Sequence, residues 1–559
     1  MEYTPTDEQR NLIESAVDRH ESALVIAGPG TGKSRTAIEI ARGRVQGLPD
    51  DSREEILFLS FSNAAIQRLS TAAGVTLSRQ EQRRLRFFTY HSLATQLLRF
   101  YGRFVGLPGK IRVADKLEEQ LLALEREWPE SEADYQKSAF GIARSDGFVV
   151  FDALIPLATA LLRASPSLAA IIRRRYPLIV VDEFQDTSQH QWNLLRELGS
   201  DGQVVAFADP NQIIYSSLHA ATARRMEEFA EWKDLTATPF STKNFRCDRS
   251  TVLGFADCLL QGSRFTSPNL NEVQLINLGF RRQRRVWLAA TWTSLRKALE
   301  AASTIGFLAP SNKVAEEIAV ELRNPPLGAK LPFPIHARLA RDEVLQDAVK
   351  LALAAVRDLA SSQHPVNLPK TAVALMAMNA MWNRRIKSVR SHFREVLVIV
   401  GLAFSDPKTP LGQFLHVLRE GLPEPQHLPT FIDAISSYKE FKVTAGRLSS
   451  HDHLRIESRG AVDGQLSLFE QFRASRSPKG LYGEGIPAGT THVLTYHKAK
   501  GREFDCVVML VDPREESTKP PLDEKRRLYY VCATRAKRWL GVVHFGTEMG
   551  SVLAPVVGR

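Results

Sequence analysis

Residues 27–34 read Ala27-Gly28-Pro29-Gly30-Thr31-Gly32-Lys33-Ser34, after the apolar run Ala23-Leu24-Val25-Ile26 and ahead of a helical pattern that begins near Lys33. Small residues let successive backbone N–H groups close around phosphate oxygens, and the start of a helix adds positive potential. In such a loop Lys33 reaches the β- and γ-phosphates and Ser34 holds Mg²⁺. The first position, ordinarily glycine, is Ala27. A second candidate is Leu178-Ile179-Val180-Val181-Asp182-Glu183, a buried strand ending in two carboxylates. Asp182 would coordinate Mg²⁺, directly or through water, and Glu183 would orient or deprotonate an attacking water. An isolated Asp-Glu after a strand is more often a solvated loop, and only the phosphate loop upstream tips the reading. Together these residues indicate ATP hydrolysis without saying what it drives.

Such residues need a scaffold. Apolar strand runs recur at Ile56–Phe61, Phe87–Thr89, Leu178–Val181 and Val204–Ala208, most of them followed by helical patterns. Strands alternating with helices imply a parallel sheet covered on both faces. A second strand-bearing region starts near Leu235 and includes Thr304–Leu308, Val493–Thr495, Val507–Val511 and Leu540–His544. Residues 100–150 are polar and helical. Residues 342–485 are helical and then Gly/Ser-rich, and no internal repeat is found. The pattern is α/β, with two cores, each interrupted by an insertion.

At 559 residues the chain is long enough for about four compact units. Its 73 Lys and Arg against 62 Asp and Glu give a net charge of +11, which favours a polyanionic partner, although a mildly basic enzyme would have the same balance. Four cysteines (Cys247, Cys258, Cys506 and Cys532) form no C-x-x-C pair and no zinc pattern. Cys506 and Cys532 lie in runs read as apolar strands, so both are expected to be buried thiols in a reducing compartment. The acidic N-terminus is no signal peptide, and no apolar run approaches the ~18 residues of a membrane span. A cytoplasmic protein without a membrane partner is expected.

What the hydrolysis drives is suggested by the segments around these residues. Asp182-Glu183-Phe184-Gln185-Asp186-Thr187 resembles the second motif of the UvrD/Rep-like superfamily 1 DNA helicases, and the resemblance runs in order along the chain. Gln9 resembles the adenine-reading glutamine. Ser60-Phe61-Ser62-Asn63 and Phe88-Thr89-Tyr90-His91 resemble segments Ia and Ib, which touch single-stranded DNA. Ala208-Asp209-Pro210-Asn211-Gln212-Ile213-Ile214-Tyr215 resembles motif III, whose glutamine senses the γ-phosphate. Asn244-Phe245-Arg246 resembles motif IV, with the aromatic on adenine and the arginine on the γ-phosphate. The run Thr495–Asp505, with Thr495 and His497 near DNA and Glu503 at the ribose, resembles motif V. Arg526–Ala536 resembles motif VI, with Arg535 as arginine finger.

The resemblance implies two RecA-like P-loop domains with parallel sheets, each carrying a mainly helical insertion. Core 1A would be 1–99 and 151–234, insertion 1B 100–150, core 2A 235–341 and 485–559, and insertion 2B 342–484. The implied catalytic set is Lys33, Asp182, Glu183, Gln212, Arg246 and Arg535. Nucleotide would be held by Gln9, Gly28, Gly30, Thr31, Gly32, Lys33, Ser34, Arg35, Phe245 and Glu503, and Mg²⁺ by Ser34 and Asp182. DNA would be contacted by Phe61, Asn63, Thr89, His91, Tyr215, Thr495 and His497.

The implied activity is ATP-dependent translocation on single-stranded DNA and 3′→5′ unwinding at duplex–single-strand junctions. The alternative is a DNA-sensing regulatory ATPase of a repair or defence complex that controls a partner nuclease without processive unwinding. UvrD-like proteins of this size occur in anti-phage systems such as Gabija. Two departures bear on the choice. Ser217 and Leu218 stand where the family continues motif III with a base-stacking aromatic and an arginine, and the first insertion is short. Such a stack is worth about 1–3 kcal/mol. Basic runs include Arg173-Arg174-Arg175 and the stretch from Arg384 to Arg394, which is read equally as a solvated face or a DNA-backbone contact.

Overall fold

The computed structural model describes residues 4–114, 132–214, 224–240, 244–245, 250–266, 272–278, 286–311, 389–449, 490–512, 521–546 and 549–557. It also describes isolated positions at 314–315, 318, 322, 338–339, 352, 355–356, 359, 371–372, 374–376 and 378. The strands, in chain order, begin with β1 (Ala23–Ile26), β2 (Ile56–Ser60), β3 (Leu85–Thr89), β4 (Arg112–Val113) and β5 (Phe148–Val149). They continue with β6 (Leu178–Asp182), β7 (Gln203–Ala208), β8 (Thr238–Pro239), β9 (Val273–Leu278) and β10 (Thr304–Ala309). The last are β11 (Arg338–Leu339), β12 (Thr490–Thr495), β13 (Phe504–Val511) and β14 (Ala536–Phe545).

One unit comprises 1–106, 154–340 and 482–559 and contains two six-stranded sheets. The first has the order β3-β2-β6-β7-β1-β8 and the second β11-β12-β10-β13-β14-β9. Every pairing is parallel. The sequence explains why: Ile56, Leu57, Phe58 and Leu59 are apolar on both faces and fully buried, as are Leu178 to Val181, so helices must cover both sides. The fold class read from the sequence is the one observed.

The parallel register aligns the strand ends, with Ser60 opposite both Thr89 and Asp182, and Ile26 opposite Ala208. The phosphate loop, the paired carboxylates and segments Ia and Ib therefore leave the sheet along one edge, where α/β folds hold ligands. Behind β6, Phe184 is fully buried against Trp192 and Phe229, with ring centroids 5.9 and 5.1 Å away. Removing such a ring costs about 3–5 kcal/mol, so the carboxylate-bearing turn rests on a rigid floor.

The other unit comprises 107–153 and 341–481. Its described part is mainly helical, around a core that includes Val396, Val400, Phe414, Leu415, Phe431 and Phe441. A two-stranded ladder of β4 and β5, in a stretch read from the sequence as helical, is the exception.

Two further readings are corrected, and one strand was missed. β8 pairs with β1, so the first sheet runs past residue 234, where its boundary had been drawn. Two residues, one of them a proline, carry no hydrophobic period, and only a neighbouring strand reveals them. Cys532 is buried as expected but lies in helix Leu522–Ala533, because one apolar face of a buried helix is as dense as a strand. β9 was not anticipated. Residues 379–388, which include Arg384, Arg385 and Lys387 of the basic stretch, lie outside the described residues.

Candidate active site

The phosphate loop joins β1 to helix Lys33–Gln46. Gly30 and Gly32 have φ of +78° and +88°, the left-handed region that favours glycine. Gly32 caps the helix without any side-chain hydrogen bond, leaving the first-turn amides for a ligand. A Cβ at Gly30 would run into the Asn244 side chain, and one at Gly32 would sit 2.8 Å from Gln9 Nε2. The loop is thus walled by side chains from distant parts of the chain. Lys33 Nζ donates to the carbonyls of Ala27 (2.6 Å) and Gly28 (2.8 Å), lying across the loop's mouth.

Gln9 is almost fully buried and donates through Nε2 to the Thr31 carbonyl at 2.8 Å. Its Oε1 accepts from the Thr6 amide, so one side chain closes the capping box of helix Asp7–Asp18 and braces the loop. On the same side, Phe245 N–H donates to the Gly30 carbonyl at 2.7 Å and Asn244 Nδ2 to the Pro29 carbonyl at 2.7 Å. The Phe245 ring lies near Gly32 and is 47% exposed, so a flat group can stack on it. Arg35 is turned to Glu39 (2.9 Å) and Thr76 (2.6 Å).

Asp182 ends β6 and Glu183 follows in the left-handed region at φ +53°. For a residue with a Cβ that conformation costs about 1–2 kcal/mol, the kind of strain that gathers at functional turns. Burial and the Glu183 charge push the Asp182 carboxyl up, against Arg68 and Lys33. Burial also works against ionisation of Glu183, but Lys500, Arg68 and Lys33, with a hydrogen bond from Gln185 (2.7 Å), hold it well below the usual carboxylate range. Lys33 therefore acts on both carboxylates, which brings the loop and the end of β6 into one field. Among the described residues no cluster of three His, Cys, Asp or Glu could hold a metal. The donor set fits a hard cation completed by phosphate: a buried Asp182 carboxylate that shares Arg68 with Glu183, beside the loop that carries the Ser34 hydroxyl.

A chain of hydrogen bonds leads from these carboxylates to the second sheet. Gln185 Oε1 accepts from the Asp209 amide at 3.0 Å, and Asp209 Oδ2 accepts from Gln212 Nε2 at 2.6 Å. Gln212 Oε1 accepts from Arg535 Nη2 at 3.0 Å. Arg535 is 2% exposed, anchored by its Nε to the Val531 carbonyl at 2.9 Å. A second bridge is Lys500, whose Nζ donates to Asp186 Oδ2 at 2.5 Å and to the Gln212 carbonyl at 2.6 Å. Burial pushes the Asp186 carboxyl up to about 6, with Lys500 pulling it down.

Sequence reading missed Lys500 and Arg68 as site residues. A buried Asp186 demands a counter-charge, and the Lys500-Gly501 turn was the place to look. Arg68, on helix Asn63–Thr76, meets Glu183 at 3.5 Å and Asp182 at 4.0 Å, a pairing across the fold that no local signal announces.

The remaining expected residues are more dispersed. Glu503 is 3.8 Å from Lys537. Asn63 is exposed at the start of its helix and Phe61 is half-buried. Thr89 caps helix Tyr90–Tyr101, and burial holds His91 down to about 4. Thr495 precedes helix Tyr496–Ala499, and burial lowers His497. Tyr215, Ser217, Leu218 and Arg246 lie outside the described residues. No single helix among the described residues is long and apolar enough to cross a membrane. One pair, 151–164 and 166–175, passes that test only jointly, with a 107° bend between them.

Comparison with known proteins places the sequence in a family. Residues 6–146 and 143–232 match the UvrD/REP helicase N-terminal domain, and residues 490–543 match the UvrD-like helicase C-terminal domain. The chain is 23% identical to DNA helicase II of Haemophilus influenzae, over 96% of this chain and 83% of that protein. It is 24% identical to DNA helicase II of Escherichia coli, over 97% and 84%. Identity to the ATP-dependent DNA helicase PcrA of Leuconostoc citreum is 22%, over 96% and 82%. With both family domains in order and relatives aligned over nearly the whole of this chain, the chain belongs to the UvrD/Rep-like superfamily 1 helicases.

Proposed function

We infer that this chain is an ATP-dependent DNA helicase that hydrolyses ATP between its two sheet-bearing cores and steps along single-stranded DNA in the 3′→5′ direction. The observation that carries the reading is Arg535, delivered from the second sheet to Gln212 at the carboxylate edge of the first. Bound ATP would supply the transferred phosphoryl group, and Mg²⁺, held by Ser34 and Asp182, would neutralise its charge. Lys33 exchanges its two loop carbonyls for phosphate oxygens. Gln9 and Phe245 hold the base. Glu183, ionised and fixed by Gln185, orients the attacking water, and Arg535 answers the charge that develops as the cleft closes. Arg246 would add a second positive charge there, and Glu503 would meet the ribose. Because Gln212 touches both cores, turnover and cleft movement are coupled, and each closure shifts one DNA-contacting face against the other.

Phe61, Asn63, Thr89, His91, Tyr215, Thr495 and His497 are the proposed contacts to DNA, in a cytoplasmic protein. Ser217 and Leu218, in place of an aromatic and an arginine, favour weak unwinding by the isolated chain and a nuclease or repair or defence partner that this ATPase serves. The experiment is ATPase and strand separation measured in parallel on 3′-tailed, 5′-tailed and blunt duplexes, with Lys33→Ala as the inactive control. DNA-stimulated turnover and unwinding confined to 3′-tailed duplex are expected. Equal unwinding from 5′ tails, or turnover retained by Lys33→Ala, overturns the reading.

A further inference from the structure

Arg68 touches no reacting group in the mechanism above, yet it stands beside the carboxylate that would hold the cation. Its Nη2 lies 4.0 Å from Asp182 Oδ2 and 3.5 Å from Glu183 Oε1, with the side chain 30% exposed. Its Nε is buried without a hydrogen-bond partner, so the guanidinium is held here by the two carboxylates rather than by a hydrogen-bonded cage of its own. The helix that carries it begins at Asn63, directly after β2, whose Ser60 is in register with Asp182. A Cβ on Gly501, from the second core, would be 3.9 Å from the same Nη2. The charge therefore sits in the cleft, on the inner face of the paired carboxylates.

We propose that Arg68 is a built-in counter-cation that occupies the Asp182–Glu183 pair and competes with the divalent ion for Asp182, so that it sets the metal concentration at which nucleotide loads. The proposal rests on the reading of Asp182 as the carboxylate nearest the metal. Two like charges at the end of a buried strand repel each other, and a guanidinium beside both relieves that repulsion. A divalent ion arriving at Asp182 meets that fixed positive charge and must displace Nη2, the longer of the two contacts, while the contact to Glu183 is retained. Arg68 is thus a positioning residue: in the absence of metal it draws on both carboxylates and holds them in place, and with metal it steadies Glu183 alone.

The test reads binding rather than turnover. The fluorescence of mant-ADP bound to the full chain is titrated with Mg²⁺ from a metal-free start, for wild type, Arg68→Gln and Arg68→Lys. Removing one unit charge beside a partly buried carboxylate should lower the half-saturating Mg²⁺ in Arg68→Gln on the order of tenfold. Arg68→Lys, which keeps the charge, should return it to near the wild-type value. Mn²⁺ binding to nucleotide-free protein, followed by electron paramagnetic resonance, should tighten in the Gln variant by a similar factor. Unchanged half-saturation in Arg68→Gln overturns the proposal. So does a rise, or a loss of mant-ADP binding at saturating Mg²⁺, either of which would make Arg68 a nucleotide ligand. Wild type that binds mant-ADP without any response to Mg²⁺ overturns instead the underlying reading of the metal site. Arg68→Lys keeps the charge that relieves the carboxylate pair and should melt close to wild type, with Arg68→Gln somewhat lower.

Discussion

Lys500→Met keeps the aliphatic stem and removes the ammonium that joins Asp186 to the backbone of Gln212. Both side chains are buried, 7% and 2% exposed, so little solvent screens the carboxylate in the closed cleft. In the wild type, burial and the Glu183 and Asp182 charges raise Asp186 while Lys500 restrains it, leaving it at about 6. Without Lys500 every remaining influence pushes upward, and the closed cleft must carry a proton on Asp186 through neutral pH. In an open cleft the burial supplied by the second core is lost, and the carboxyl falls back toward the ordinary carboxylate range and gives that proton up. Closure of the variant thus takes up a proton across neutral pH, where wild-type closure takes one up only as pH falls to about 6. Its relative equilibrium constant falls about tenfold per pH unit above about 6, giving about tenfold at pH 7 and about a hundredfold at pH 8. The lost donor to Gln212 adds a pH-independent factor of about 1 kcal/mol. The assay is kcat for ATP at saturating single-stranded DNA and constant ionic strength, from about pH 6 to about pH 8. The variant should approach wild type at the acid end and fall away as pH rises, and Asp186→Asn in the same chain should flatten the profile. Parallel profiles of wild type and variant would refute the argument, whatever the size of the defect.

Three further outcomes follow from the geometry. Arg535→Ala should lower kcat by about 10³-fold or more while nucleotide affinity changes little, because its charge is needed only as the cleft closes. Rapid-quench turnover beside mant-ADP binding separates the two, and an affinity loss at constant kcat would contradict the closing-cleft mechanism. Gly30→Ala places a Cβ at φ +78° and against Asn244, so nucleotide binding should weaken by about 1–2 kcal/mol or more, and calorimetry finding wild-type affinity would show that the loop can rearrange freely. For His91, burial favours the neutral ring and holds the folded value at about 4 against 6.5. The unfolded chain therefore takes the proton first. The stability that neutral His91 contributes is complete above about pH 6.5 and is lost as pH falls toward about 4, amounting to roughly 3 kcal/mol. His91→Gln should make thermal unfolding less acid-sensitive across that window, and an unchanged pH dependence would sink this assignment.

The strands that were legible are those in which apolar residues run unbroken. Ile56–Ser60, Leu178–Asp182 and Gln203–Ala208 occupy the sheet interior, and burial on both faces writes itself into composition. Thr238–Pro239 and Arg338–Leu339 are sheet edges two residues long, and Val273–Leu278 alternates irregularly between buried and exposed. Such strands are defined by a partner far away in sequence. The site divides in the same way. The phosphate loop and the carboxylate pair are local, because loop geometry and strand end are set by adjacent residues. Arg68 and Lys500 are not, because their meaning comes from Asp182, Glu183 and Asp186, which reach them only after folding. The chemistry of those carboxylates posed the question of a counter-charge, and only three dimensions answered it.

The Gln212 amide hands a hydrogen to Asp209 and receives one from Arg535, so its two ends are read by opposite charges. Few side chains can do this. Glutamate would keep the arginine but set carboxylate against carboxylate at Asp209. Lysine or arginine would satisfy Asp209 and repel Arg535. Asparagine falls one methylene short of spanning the pair. Gln212 thus works as a polarity adaptor between an acidic core and a basic visitor. Substitution there is locked to its neighbours: glutamate at 212 becomes tolerable only alongside a neutral residue at 209, and a cation at 212 only if 535 loses its charge. In a lineage of such chains these three positions should drift as one inherited unit, and a chimera that takes its two cores from different lineages should fail first at this amide.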